Sequence, residues 1–467
     1  MDEVIFGCPG SGKTTYIVKS TLLHKCEKGL YLSFGRQNSL ATARRLPEHM
    51  EAMSFHTLAK KQLGIPSSRI IDKMTMSTMG AILSTLSLRD KCSDLKILEA
   101  TTLFYELFIK TDVNVNQVHS LFNRSTQIPP LDKKEKSIVV QLFKAVWEAQ
   151  ASNGSEIHIS HDGYLKLFSL STVRLPHKYI YIDEAQDMDD VMHAIVSNMK
   201  RCNADSFFTM LGDPCQQIFG FRRASSRFGM MASTKRLNYS YRFGKNIAAE
   251  ANLFMQEQNL PYFTDIEAGE REDTVIHGSS FNAIVKRVKA NERVTFITRH
   301  NATVWSALAR FAQQGVPCAI NGSINREEIS RIKALHALFL GKPQKVYRNV
   351  TFERIKSKME LTHNYDGVLM CRFIESFSPV YPEIVENLEK YIVKPNKAYV
   401  FLSTTHQAKG LEFKHVVLAN DFSKMYDRER GKYVKMPSHK TEDAHVFFTA
   451  MTRAKLSLTM PISDDEE

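Results

Sequence analysis

The chain has no pair of cysteines spaced as C-x-x-C, and its seven cysteines (Cys8, Cys26, Cys92, Cys202, Cys215, Cys318, Cys371) are scattered and odd in number. That pattern excludes a disulfide framework or a zinc site of the usual spacing and fits reduced thiols inside a cell. No apolar run approaches the roughly 20 residues of a membrane-spanning helix, and no basic stretch followed by an apolar core opens the sequence as a signal peptide does. Internal repeats and long low-complexity linkers are missing too, which excludes solenoid arrays. These absences lead to the expectation of a soluble, intracellular protein with no membrane partner. The remainder is ordinary globular composition, 43% hydrophobic and 24% charged over 467 residues. That length exceeds one compact core, so about two to four domains are expected. The net charge of +12 favours a polyanionic partner, although solubility alone also accounts for it.

The first residues already carry chemistry. Val4-Ile5-Phe6 reads as a short apolar strand, followed by Gly7-Cys8-Pro9-Gly10-Ser11-Gly12-Lys13-Thr14 and a helical stretch from about Thr15. This is G-x-x-x-x-G-K-T in a strand–loop–helix setting. Glycines let backbone N–H groups converge on phosphate oxygens, with a helix N-terminus behind them. Lys13 then reaches the β- and γ-phosphates and the Thr14 hydroxyl completes a Mg²⁺ shell. A second apolar strand, Tyr179-Ile180-Tyr181-Ile182, ends in Asp183-Glu184-Ala185-Gln186. Asp183 is placed to hold the metal, and Glu184 to orient and deprotonate an attacking water. The plainer alternative is an acidic helix start, which the upstream phosphate loop disfavours. A third strand, Phe207-Phe208-Thr209-Met210-Leu211, leads into Gly212-Asp213-Pro214-Cys215-Gln216-Gln217-Ile218-Phe219-Gly220-Phe221-Arg222-Arg223-Ala224. Here amide side chains that position water or phosphate oxygens precede alternate aromatics and then arginines, a platform for bases with a cationic edge. Core phenylalanines at a strand end are the competing reading.

In this order the three boxes resemble those of superfamily 1 DNA helicases, in the UvrD/Rep/PcrA branch. GDPCQQIFGFRRA with the later Tyr241-Arg242-Phe243-Gly244 looks most like the F-box DNA helicase subgroup, although the sequence shows no F-box. The resemblance runs from the first residues to about Lys455. It implies an α/β fold of two P-loop motor domains, ATP and Mg²⁺ as cofactors, and a set of site residues. Gln216 looks like the sensor of the γ-phosphate and the water. Phe219 and Phe221 stand where the family stacks bases, and Arg222 where it contacts the strand. Ser54-Phe55-His56-Thr57 matches a T-F-H box, so Phe55 and His56, with Phe34, are DNA-contact candidates; each phenylalanine is equally readable as core, and His56 as a helix cap. In Leu237-Asn238-Tyr239-Ser240-Tyr241-Arg242, Arg242 resembles the arginine that reaches the γ-phosphate and Tyr241 the aromatic that stacks on adenine. Arg453, in Phe448-Thr449-Ala450-Met451-Thr452-Arg453-Ala454-Lys455, is the matching second arginine. Within Tyr399 to Phe413, the resemblance puts Thr404 and His406 on the DNA backbone and Glu412 on the ribose hydroxyls. Arg299 is readable as structural or DNA-facing.

Strands alternating with helical patterns in both halves argue for two doubly wound α/β domains. The expected boundaries are 1–65 with 161–235 for the first motor domain, 66–160 for a helical insertion, 236–324 with 395–460 for the second, 325–394 for a short second insertion, and 461–467 for an acidic tail. Three departures from the family stand out, one being a second insertion far shorter than the family's usual one, which favours translocation over strong unwinding. Thr15 occupies a position where relatives often carry an arginine, and only six residues precede Gly7 where the family has an adenine-reading glutamine, so adenine selectivity is expected to rest on Tyr241 and other groups, or to be relaxed. The resulting expectation is an ATP-dependent helicase moving 3′-to-5′ on single-stranded DNA, in replication, recombination or repair. A translocase that strips bound proteins and unwinds little is the alternative. Expected partners are single-stranded DNA, DNA junctions, and single-strand-binding or recombinase proteins. The subgroup implies a nucleus, or a host cell's nucleus or cytoplasm for a viral chain.

Overall fold

The computed structural model describes residues 2–463 except 25–26, 93, 221–222, 261–264, 323–325, 348–349, 363, 428–429 and 438–440, and without the side chains of 36–38, 92 and 326. Its contacts divide the chain into two units. One contains Met1–Gly7, Lys13–Pro214 and Phe219–Arg236; the other contains Cys8–Gly12, Cys215–Ile218 and Leu237–Glu467.

The first unit is organised by a sheet of six strands in the order Met50–Ser54, Gly29–Ser33, Tyr179–Asp183, Phe207–Gly212, Glu3–Gly7 and Lys235–Leu237. The pairings among the first five are parallel. Such strands are buried on both faces and read as continuous apolar runs rather than alternating ones; all five residues of Gly29–Ser33 are buried. Register explains why motifs some 170 residues apart meet. Ser33 pairs with Asp183, Ile182 with Met210, and Phe6 with Gly212. The phosphate loop, the acidic pair and the glutamine stretch therefore all begin at the same, C-terminal edge of the sheet, the side on which open parallel sheets bind ligands.

Residues 66–160 are largely helical. Helices Met76–Thr85, Leu95–Phe108 and Lys133–Ala151 begin at Thr75, Asp94 and Asp132, each of which accepts a backbone N–H as cap. Asp132 forms a reciprocal capping box with Glu135. Their apolar faces meet in an aromatic core in which Phe108 packs edge-on against Phe143 and Trp147 at 4.8 and 5.0 Å.

The second unit repeats the parallel plan. Its six strands run Thr274–Ile276, Ala454–Thr459, Phe413–Leu418, Val294–Thr298, Val400–Thr404 and Cys318–Ile320, every pairing parallel. Segment 325–394 shares a core with that sheet: Ile332, Leu335, Met370 and Ile374 cluster with Trp305, Leu308, Phe311 and Val400. No helix among the described residues is long and apolar enough to cross a membrane. The acidic end, Asp464 to Glu467, lies outside the described residues.

Candidate functional site

In the first unit the phosphate loop is followed by helix Lys13–Thr21, which opens on the two residues the motif needs. Lys13 Nζ donates to Gly7 O at 2.9 Å. Thr14 Oγ1 donates to Asp183 Oδ2 at 2.9 Å, and the same oxygen accepts from the Tyr31 hydroxyl at 2.8 Å. Asp183 Oδ1 accepts the Glu184 N–H at 3.0 Å. Burial first, and then the adjacent Glu184 charge, push the Asp183 carboxyl above its ordinary range against the bonds from Tyr31 and Thr14 and the Lys13 charge. A buried carboxylate with too little positive charge nearby, bonded to a hydroxyl, is the oxygen set that suits a small hard divalent cation. The described residues contain no group of three or more His, Cys, Asp or Glu able to hold a metal by themselves. A cation here would be completed by phosphate and water oxygens, which is the habit of Mg²⁺.

Glu184 has left-handed backbone, φ 55° and ψ 42°. For a residue other than glycine this costs about 1–3 kcal/mol, and such strain collects at functional positions. Gln186 supports the strained residue: its Nε2 donates to Glu184 Oε2 at 2.6 Å while its Oε1 accepts the Asp213 N–H at 3.0 Å. One amide thus ties the acidic pair to the glutamine stretch. Gly212 makes that approach feasible, because a Cβ there would collide with the Gln186 side-chain oxygen.

In the second unit, loop residues Cys8–Gly12 lie against the strand carrying Arg242. Cys8 N donates to Leu237 O at 3.0 Å and Tyr241 N to Gly10 O at 2.9 Å. Gly10 has φ +75°, and a Cβ there would sit 2.5 Å from Arg242 Cβ. Only glycine fits. Arg242 donates to Glu412 Oε1 at 2.9 Å and to Thr452 O at 2.7 Å, and Lys455 meets the other Glu412 oxygen at 3.0 Å. Burial works to raise the Glu412 pKa, but Arg242 and Lys455 outweigh it and hold the carboxyl below its ordinary range. Arg453 is 1% exposed. It donates to Thr449 O at 2.9 Å, Leu411 O at 3.3 Å and Gln216 Oε1 at 2.7 Å. Tyr241 is 71% exposed, its ring 4.9 Å from that of Tyr239. Arg299 pairs with Asp443 at 2.8 Å.

The residues expected on the nucleic-acid side divide. Phe34 and Phe219 face each other with rings 16° from parallel and 5.9 Å between centroids. Phe34 and His56 also line a cavity of about 300 Å³ with Asp162, Asp189 and Arg223. His56 packs edge-on against Tyr164 at 5.9 Å, and burial lowers its pKa. Two expectations need correction. Phe55 is 0% exposed and belongs to the core, so it has no face for a base. Thr404 is 4% exposed and its hydroxyl caps the next helix by accepting from Gln407 N. His406 is half-buried and directs Nε2 to Ile218 O at 3.0 Å. Phe221 and Arg222 lie outside the described residues. Sequence reading missed Tyr31, whose partner Asp183 ends a neighbouring strand, and Gln186, which joins nearby Glu184 to Asp213 at the end of another strand. It also missed Arg45, which donates to Thr15 Oγ1 at 3.0 Å and brings a guanidinium to the position expected to lack one.

Parallel sheets with a phosphate loop and an acidic strand end side by side define a P-loop protein. The chain belongs to the UvrD-like helicase family: residues 2–235 match the UvrD/REP helicase N-terminal domain and residues 370–465 the UvrD-like helicase C-terminal domain. It is similar to F-box DNA helicase 1 of Gallus gallus, 24% identical, over 98% of this chain and 47% of the relative. F-box DNA helicase protein 1 of Schizosaccharomyces pombe is 23% identical over 97% of this chain and 54% of its own length. DNA helicase IV of Escherichia coli is 23% identical over 62% of this chain and 52% of its own length. The chain spans about half the length of these curated relatives.

Proposed function

We propose that this chain is an ATP-dependent DNA helicase that moves 3′-to-5′ along single-stranded DNA. The observation that carries the reading is the bonded series Thr14–Asp183–Glu184–Gln186 at the end of the phosphate loop. Lys13 binds the β- and γ-phosphates, while Thr14 and Asp183 hold Mg²⁺. When bound, Mg²⁺ offsets phosphate charge. Glu184, with Oε2 fixed by Gln186, orients a water and accepts its proton as the water oxygen attacks the γ-phosphorus and the bond to the β–γ bridging oxygen breaks, releasing ADP and phosphate. Tyr31, its hydroxyl kept protonated by burial and by the neighbouring Asp183 charge, keeps Asp183 aimed. Arg242 and Arg453 take up charge on the transferring phosphoryl group, a role worth about 10³–10⁵ in rate where an arginine finger performs it. Gln216 senses the γ-phosphate, Tyr241 stacks on adenine, and Glu412 serves the ribose.

On the strand side, Phe34 and Phe219 take bases by stacking, and Phe221 and Arg222 are the further residues expected to contact DNA. A base between two rings needs about two stacking steps of 3.4 Å, more than the 5.9 Å between the Phe34 and Phe219 centroids, so the two rings have to part to admit one. The process served is replication, recombination or repair, with DNA junctions and single-strand-binding or recombinase proteins as partners and a nuclear setting. The test is phosphate release with and without single-stranded DNA, followed by unwinding of duplexes with 3′ or 5′ tails. Lys13→Ala and Glu184→Gln should each abolish the stimulated rate; normal turnover in either would sink the reading. The protein-stripping translocase is the second reading, favoured by the packing of 325–394 into the core of the second unit. Robust displacement of a long duplex by the purified chain would exclude it.

A further inference from the structure

Three successive carbonyls of the glutamine stretch are each taken by a different side chain of the second unit. Lys409 Nζ donates to Gln216 O at 2.8 Å, His445 Nδ1 to Gln217 O at 3.1 Å, and His406 Nε2 to Ile218 O at 3.0 Å. Pro214–Gln216 is one short 3-10 turn and Gln217–Ile218 belong to no helix or strand. Buried backbone carbonyls must be satisfied somewhere, and here side chains do it, so these donors set the local path of the chain. His406 and Lys409 follow strand Val400–Thr404 directly. His445 comes instead from the middle of helix Thr441–Met451, whose C-terminal end leads into Arg453. That helix and the residues just after it hold the stretch at two points: its backbone through His445 and the Gln216 amide through Arg453.

We propose that His445 is a positioning residue for Gln216, fixing through the Gln217 carbonyl the direction in which the Gln216 amide leaves the backbone. The inference rests on the reading that Gln216 serves ATP hydrolysis. The ring is 6% exposed, and its other nitrogen, Nε2, has no hydrogen-bond partner among the described residues. All the polar work of this histidine thus falls on one N–H. Burial pushes its pKa down to about 4, so at neutral pH the ring is an uncharged donor and not a proton acceptor for the reaction. A histidine that merely filled space would have no need of that one bond. Side chains that keep it can therefore be told from side chains that keep only the volume.

His445→Asn carries an N–H at the level of Nδ1, His445→Gln carries it one bond farther, and His445→Leu carries none. The measurement is ATPase kinetics with single-stranded DNA, with thermal unfolding midpoints recorded for all four proteins. His445→Leu should lower the DNA-stimulated kcat about tenfold, the order expected for one lost buried hydrogen bond, while the KM for ATP stays within twofold. His445→Asn should return to within about threefold of the parent, and His445→Gln should not. If the leucine variant does not fold, the asparagine–glutamine difference carries the same test. Equal loss in the asparagine and glutamine variants, a KM that rises in step with the fall in kcat, or unimpaired leucine kinetics would overturn the proposal. A parent protein without DNA-stimulated turnover would overturn the functional reading beneath it instead, which separates the two failures.

Discussion

Glu184 concentrates the chemistry of the first unit. Its left-handed backbone and its bond from Gln186 fix one carboxylate oxygen, and a fixed base is what proton transfer from water requires. Glu184→Gln should keep nucleotide binding and lower kcat by about 10²–10⁴, the usual contribution of a general base; single-turnover phosphate release measures it. Gln186→Leu should act through two lost bonds, because it leaves Glu184 Oε2 and the Asp213 N–H without this partner. Expected are a loss of about 1–3 kcal/mol in unfolding free energy and a lower kcat, read by denaturant titration alongside ATPase assays. For the strand, Phe34→Ala and Phe219→Ala should each weaken single-stranded DNA binding by about 1–3 kcal/mol with little dependence on base sequence. Fluorescence anisotropy on homopolymers of each base checks both parts. The acids, Lys13 and the Gln216 position were legible in the sequence because their spacing sits within short motifs. Tyr31 was not: one tyrosine in an apolar run carries no mark of the carboxylate that register later places beside it.

Among elements, the helices were the most legible. Asp132 with Glu135 before an apolar run announces a capped start, and the reciprocal box is there. Asp132→Ala should cost about 1 kcal/mol in stability and leave DNA-stimulated ATPase unchanged, because the capped helix serves the aromatic core of residues 66–160 and touches no proposed site residue; thermal denaturation with a parallel ATPase assay tests both halves. The phosphate loop behaves differently. Gly10→Ala has to place a Cβ against Arg242 at positive φ, so it should disrupt the loop and lower nucleotide affinity while the sheet stays intact by circular dichroism. Phe55 and Thr404 show where motif likeness misled. Each occupies the first turn or cap of a helix whose buried side is set by the sheet behind it. Matching residue types does not say which way a helix end faces.

At the scale of the whole molecule, pH dependence offers a test of how the first unit is assembled. Asp189 caps helix Asp190–Cys202 by accepting from Met192 N at 2.7 Å. Burial raises its pKa from 3.8 to about 6 despite that bond, with Asp162 and Asp190 adding to the rise. A carboxyl raised in the folded state binds its proton more tightly there than in the unfolded chain. Its contribution to stability is full below about pH 3.8 and is lost as pH rises through about 6. Asp189→Asn keeps a capping oxygen and should flatten the stability profile across that window, as urea titrations at several pH values will show.

The sequence by itself determined that this chain builds parallel α/β sheets, that a phosphate loop and an acidic strand end belong to one of them, and that its family is that of UvrD-like helicases. The first two follow from local facts: apolar runs of strand length, glycines where backbone must approach phosphate, and acids at a strand terminus; the family follows from the resemblance of the ordered motifs, which the matching family models bear out. The tertiary structure alone decided which partners the site residues take. Register brought Tyr31 to Asp183, and strand order put Asp213 within reach of Gln186. The packing of a late helix put His445 on Gln217 and Arg453 on Gln216. The reason is physical. Hydrogen bonds between residues far apart in sequence are set by how sheets and helices pack, and no short stretch of sequence contains that information.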